Sequence, residues 1–176
     1  AVWTGTHMIV WGGDPICCQG KLDTGGRYDP LADTWQPTAT TGAPSARAFA
    51  AGVWTGGELV VWGGYADYSQ AVDTGGTYDP IADAWRPVAR GENVPIQRYM
   101  HSGVWTGIAM LVWGGQGPFE PLRTGGSYDP FTDSWGASAP PLPGEELLVA
   151  KPPGGLVSYG SELVGLRKDG AVVLWT

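Results

Sequence analysis

Short apolar runs separated by glycine-rich and polar turns make up most of the chain, and this pattern favours β-strands. Residues 59–62 (Leu-Val-Val-Trp) are apolar at every position, which is typical of a strand covered on both faces. The small, apolar segment 47–54 before them suits a crowded inner strand, and residues 55–58 form a tight turn of the hairpin type. The pattern therefore predicts an antiparallel pair, strands a and b.

Two further strands are predicted after a Gly-Gly pair and a polar, aromatic loop at residues 65–73. Strand c starts at residue 74 and ends in a turn where Pro80 sets φ and the side chain of Asp79 can accept backbone N–H groups. Trp85 opens the outer strand d, where Pro87 is tolerated because the strand is an edge. Four short antiparallel strands in about fifty residues are typical of a propeller blade.

The strand pattern occurs three times. A phrase running from Thr-Gly-Gly through Tyr-Asp-Pro to Trp recurs every fifty residues, and a Val-Trp-Thr-Gly phrase recurs every fifty-one. Two phrases that repeat in step at such a period indicate a repeated structural unit. The predicted blades occupy residues 1–36, 47–88 and 98–139.

The order of these phrases resembles the kelch repeat of β-propellers. An Arg-led strand, an apolar strand ending in Gly-Gly, Tyr-Asp-Pro and a Trp after a fixed gap recur over residues 1–139. One departure is Ala50, which stands where the third unit has His101, and it is interpreted as drift in packing. The resemblance implies an all-β propeller of four-stranded antiparallel blades.

Residues 140–176 follow a different pattern. After a stiff, proline-rich connector, residues 162–175 predict two strands joined by a hairpin at Asp169-Gly170. This part resembles the repeat of the regulator-of-chromosome-condensation propellers and predicts a divergent fourth blade or closing strands. The ring is then either four-bladed or, as we expect, larger and completed by missing sequence or another chain, since an open propeller exposes sheet surface.

Composition excludes several partners. A formal net charge of −7, with ten Lys and Arg residues scattered singly, provides no basic stripe for a phosphate backbone, so nucleic acid is not expected. No apolar run approaches the roughly 20 residues of a bilayer-spanning helix, and no membrane span is predicted. The adjacent Cys17 and Cys18 are interpreted as two loop thiols that are either free or bonded to a partner. The sequence does not fix the cellular compartment, although the kelch resemblance and the few lysines favour an exported bacterial protein.

Comparison of the three units locates the candidate binding surface. The a–b and c–d turns barely change between units, whereas the b–c loops change completely and emerge on the opposite side of the blade. Exposed aromatic residues among mixed charges favour a binding surface for a protein partner, with a glycan as the alternative. The candidate residues are Asp14, Tyr65, Asp67, Tyr68, Phe119, Glu120 and Arg123.

Other repeated residues are expected to be structural. The Trp residues at the ends of strands a and b and at the start of strand d are predicted to form the core between blades. The Asp pair of each c–d turn is expected to cap the backbone rather than bind calcium. Arg47 and Arg98 precede strand a near the predicted channel mouth, where they face an anionic ligand or, as we favour, pair with a carboxylate or carbonyl of an adjacent blade.

No catalytic constellation is visible in the sequence. His7 and His101, the two histidines, lie in different strands of different blades, so no nucleophile–base pair or copper site can be assembled. The chain is therefore predicted to be non-catalytic, with no cofactor and no metal. Kelch-type enzymes such as sugar mutarotases and galactose-oxidase-like oxidases are the alternative that the resemblance implies.

Overall fold

The computed structural model describes residues 1–15, 20–66 and 70–137, together with the backbone of three later strands. Every regular element in these residues is a strand, and all strand pairs are antiparallel. No helix in the described part of the chain is long and apolar enough to cross a membrane. The all-β prediction is thus confirmed.

Unit 1 is a four-stranded sheet in which each strand pairs with the next. Its strands are β1 (Val2–Trp3), β2 (Met8–Trp11), β3 (Gly25–Asp29) and β4 (Thr34–Pro37).

Unit 2 contains a four-stranded sheet and a small three-stranded sheet. The strands of this region are β5 (Arg47–Ala48), β6 (Ala51–Trp54), β7 (Leu59–Trp62), β8 (Tyr65–Ala66), β9 (Gln70–Ala71), β10 (Gly75–Asp79) and β11 (Ala84–Pro87). The main sheet has the order β6-β7-β10-β11, and the small sheet has the order β5-β8-β9.

The prediction of one continuous strand a over residues 47–54 is wrong, because two separate strands, β5 and β6, occupy this segment. Phe49 adopts a left-handed backbone with φ of 56°, which ends β5 and lets the chain turn before β6 begins. β5 therefore pairs with β8, inside the predicted b–c loop, and only β6 pairs with β7.

Unit 3 repeats the four-stranded arrangement, and a three-stranded sheet follows it. The strands are β12 (Ser102–Trp105), β13 (Met110–Trp113), β14 (Gly125–Asp129), β15 (Ser134–Ala137), β16 (Val157–Tyr159), β17 (Glu162–Leu166) and β18 (Val172–Trp175). The hairpin expected at Asp169-Gly170 lies outside the described residues, but the strands on either side of it, β17 and β18, do pair.

Two cores form where successive units pack face to face. Between units 1 and 2, Ile9 packs with Leu59, Tyr78 and Trp85. Between units 2 and 3, Val60 occupies the place that corresponds to Ile9, and the ring of the fully buried Trp62 lies 4.9 Å from that of Trp135. Unit 2 is therefore covered on both faces, as its apolar strand β7 predicts.

Two tryptophans expected in the core are exposed instead. Trp3 is 54% exposed and Trp35 is 55% exposed, because they lie on the face of unit 1 that points away from unit 2. The equivalent Trp85 and Trp135 are only 8% and 6% exposed, since each of them is covered by the preceding unit.

The c–d turn has the structural role expected from its aspartates. Asp79 accepts the backbone N–H groups of Ile81 and Ala82 at 2.7 and 3.1 Å. Asp83 has a left-handed φ of 49° and accepts a hydrogen bond from the hydroxyl of Tyr78 at 2.6 Å. These bonds fix the turn before strand d begins.

Candidate binding face

The b–c loops and the linkers between units form one edge of the sheets, which we name the loop face. Gly13 donates its N–H to the carbonyl of Arg47 at 2.8 Å, and Arg47 donates its own N–H to Leu22 at 3.1 Å. The same two bonds recur one unit later around Arg98. Each b–c loop is thus held against the segment that enters the next unit. The opposite edge, formed by the a–b and c–d turns, is the turn face.

The guanidinium groups of Arg47 and Arg98 lie beneath the loop face, each 1% exposed. Arg47 donates to the carbonyls of Ser45, Gly63 and Thr74 at 2.9, 3.0 and 2.6 Å. Burial lowers the pKa of both guanidinium groups to about 10, so both stay protonated at neutral pH. Arg98 makes the equivalent contacts in unit 3. These contacts favour a structural role for both residues, but the accepting carbonyls belong to the arginine's own unit and the segment before it rather than to an adjacent blade.

An aromatic pair joins the b–c loop of unit 2 to the segment that enters unit 3. The rings of Tyr65 and Tyr99 lie 4.8 Å apart at an interplanar angle of 55°. Lys21, from the b–c loop of unit 1, places its Nζ 5.1 Å from the centre of the Tyr65 ring. Tyr65 is one of the candidate binding residues. Its ring contacts a residue from each neighbouring unit, and these two contacts hold it in a fixed orientation.

Phe49 and Met100 are two apolar residues at this face that the sequence patterns did not single out. They stand at equivalent positions, 49% and 51% exposed, with left-handed φ values of 56° and 54°. The N–H of Met100 donates to the carbonyl of Phe49 at 3.0 Å, which links the two segments. For Phe49, the signal that could have found it is a large side chain among the small residues of segment 47–54.

The remaining candidate residues are spread over two loops. Asp14 is exposed on the b–c loop of unit 1. On the loop of unit 3, Phe119 is 97% exposed, and Glu120 and Arg123 are exposed beside it. A tight turn, closed by the N–H of Gly117 donating to Glu120 at 2.9 Å, presents this loop. Asp67, Tyr68, Cys17 and Cys18 lie outside the described residues.

The two histidines lie at different sites of the described structure. His7 lies near the turn face, where its Nδ1 is 2.9 Å from the hydroxyl of Thr6 and its Nε2 is 3.9 Å from Asp29. His101 is buried between units 2 and 3. No group of three or more His, Cys, Asp or Glu side chains suited to a metal ion occurs among the residues that the structure describes.

Comparison with known proteins adds no assignment. No protein-family model matches the chain, and no curated protein matches it.

Proposed function

We propose that this chain is part of a kelch-type β-propeller that acts as a non-catalytic binding module for a protein partner through its loop face. The propeller assignment is supported by three equivalent four-stranded antiparallel sheets that pack face to face. The binding assignment is carried by one observation, the pair of half-exposed apolar side chains at Phe49 and Met100.

The backbone at these two positions supports a functional role. A left-handed conformation costs a non-glycine residue roughly 1 kcal/mol or more, and such strain concentrates at binding sites. Folding buries only about half of each side chain, 49% of Phe49 and 51% of Met100 remaining exposed. Contact with a partner would bury both side chains at once.

The chemistry of the loop face favours a protein over a glycan. Sugars are held by stacking on open aromatic faces combined with several hydrogen-bonding groups. Here Tyr65 has Tyr99 against its ring and Lys21 over it, so little of the ring remains open. Phe49, Met100 and Phe119 are large apolar side chains exposed at this face, and such side chains are typical anchors of protein interfaces.

A double variant tests this proposal. Phe49→Asn with Met100→Asn removes both apolar side chains, and asparagine tolerates the left-handed backbone. We expect at least about tenfold weaker capture of partners from a display library of proteins of the organism that makes this chain, since interface anchors contribute about 2 kcal/mol or more each. Thermal unfolding should stay nearly unchanged.

The matched control is Ile81→Ser, which removes a 94% exposed apolar side chain from the turn face. It should leave capture intact. Equal capture by the loop-face variant and the native chain would refute the assignment, and ligands found only on a parallel glycan array would replace the protein partner with a carbohydrate.

A further inference from the structure

A cavity of about 120 Å³ lies between units 1 and 2. Trp11 lines it from unit 1 and Ala50 lines it from unit 2, together with apolar side chains of β2 and β7. Two residues of the loop face, Gly13 and Phe49, also border it. The cavity therefore lies directly beside the surface to which the partner is assigned.

The corresponding place between units 2 and 3 is filled by the imidazole of His101. This ring lies edge-on to that of Trp62 at 5.4 Å, and a Cβ placed on Gly63 would lie 2.5 Å from its Cε1. Unit 2 has Ala50 at the equivalent position, so the interface between units 1 and 2 lacks the ring. Among the described residues, a Cβ placed on Gly12, the equivalent of Gly63, would meet only two backbone carbonyl oxygens within 4 Å.

The tryptophans at the two places differ in burial. Trp62 is fully buried, whereas Trp11, at the equivalent position, is partly exposed. The backbone beside them is alike, since Phe49 and Met100 share the left-handed φ at 56° and 54°. Strand a of unit 2 leaves room for the imidazole, because Ala51, the partner of Trp62, carries only a methyl group. The missing imidazole therefore accounts for the space beside Trp11.

We propose that this cavity receives a histidine side chain of the protein partner, whose imidazole takes the place that His101 has between units 2 and 3. The proposal rests on the proposed function, because it names the anchor that the partner presents at the loop face. The ring of His101 makes no hydrogen bond of good geometry and is held by packing, which the apolar walls beside Trp11 can reproduce. Apolar cavities of this order hold a single small ring, and anchors that fill a pocket carry much of an interface's binding energy.

N-acetyl-histidine methylamide tests the cavity directly, at about pH 8, where the imidazole is neutral. It is titrated into the full chain while two-dimensional NMR follows the indole N–H signals, with that of Trp11 identified by its loss in Trp11→Phe. We expect a saturable shift of the Trp11 signal and none with N-acetyl-alanine methylamide. Ala50→His fills the cavity and should bind the ligand at least about tenfold more weakly. His101→Ala opens the equivalent space, so the Trp62 signal should then shift as well.

The same variant tests whether the partner uses the cavity. Library clones that the native chain captures should bind Ala50→His at least about tenfold more weakly, and replacing one histidine of the captured segment by alanine should have the same effect. Ala50→Ser is the matched control, because it adds a hydroxyl group but no ring, and it should capture like the native chain. If Ala50→His did not fold, the histidine replacement and the titration of the native chain would still decide.

Three outcomes would overturn the proposal. A Trp11 signal that does not move at millimolar ligand, or that moves equally in Ala50→His, would remove the cavity as a binding site. A captured segment that keeps its affinity without its histidines would refute the histidine anchor. Capture that is lost in the Phe49→Asn and Met100→Asn variant but retained in Ala50→His would refute use of the cavity and leave the proposed function standing, whereas capture retained in both would refute both.

Discussion

His101 is a buried imidazole, 8% exposed, at the start of the inner strand of unit 3. Its ring lies edge-on to that of Trp62 at 5.4 Å, and neither ring nitrogen makes a hydrogen bond of good geometry. Burial, together with the positive charge of Arg98, lowers the pKa of His101 to about 3. The imidazole is therefore neutral in the folded protein well below the pH at which it would be charged in the unfolded chain.

Stability should fall on acidification because of this residue. An unfolded histidine has a pKa near 6.5, so between that pH and about 3 the unfolded chain binds one more proton than the folded chain. The free energy of unfolding then decreases as the pH falls. From pH 7 to pH 5 we expect a loss of about 2 kcal/mol, measured by urea unfolding.

Two variants isolate the contribution of His101. His101→Ala places at this site the residue that unit 2 has at Ala50, and it should flatten the dependence between pH 7 and pH 5 even if it lowers stability throughout. His7→Ala should leave the dependence in place, since His7 lies half-exposed near the turn face. An unchanged slope in His101→Ala would show that other groups cause the loss.

Strand c shows at the element scale why the Gly-Gly phrase repeats. A Cβ at Gly75 would collide with the carbonyl oxygen of Val61 and lie 3.0 Å from Cα of Trp62 in the neighbouring strand. A Cβ at the equivalent glycine of unit 3 would collide with the carbonyl oxygen of Val112. The glycine is thus required by the close approach of strands b and c.

Gly75→Ala should therefore destabilise the protein strongly. The obstructing atoms belong to the backbone of β7, which cannot move without breaking its pairing with β10. We expect a loss of at least about 3 kcal/mol in urea unfolding, at the upper end of overpacking effects. Gly57→Ala is the control, because nothing lies within 4 Å of its Cβ, and it should change stability by no more than about 0.5 kcal/mol. Similar losses in the two variants would contradict the steric explanation.

The sequence predicted the strands well because they depend on local patterns that the chain repeats. The apolar run of β7 is enough to predict that strand, and the Asp-Pro pair is enough to predict the turn after β10, because neither depends on distant residues. The break at Phe49 could not be predicted, since its left-handed backbone depends on the pairing of β5 with β8 and on the bond from Met100. For the same reason Tyr65 was identified as a candidate binding residue but its contact with Tyr99 was not.

At the scale of the whole molecule, each unit packs against its neighbours. Unit 2 packs against a unit on both faces, whereas in the described residues unit 1 packs against unit 2 alone. Stability in such arrays is close to a sum of unit terms and interface terms. Weakening one interface should therefore lower the stability of the two units that it joins more than that of the other units. At the interface between units 1 and 2, unit 1 should lose more stability than unit 2.

Trp85→Phe tests this coupling, because Trp85 contributes to the interface between units 1 and 2 in two ways. Its indole N–H holds Ala39, and its ring packs 5.2 Å from that of Trp11. The smaller side chain loses the hydrogen bond and part of the packing, together worth more than about 1.4 kcal/mol. Amide hydrogen exchange in β2 and β3 should become at least about tenfold faster, while exchange in β13 and β14 changes little.

Trp35→Phe is the matched control for this measurement. It makes the same chemical change at the equivalent position, but Trp35 holds no linker among the described residues and is 55% exposed, so exchange in unit 1 should hardly change. If Trp35→Phe accelerated exchange as much as Trp85→Phe, the effect would come from the sheet of each unit itself. If Trp85→Phe accelerated exchange equally in all three units, the sheets would unfold as a single cooperative block, and the interfaces could not be treated as separate terms.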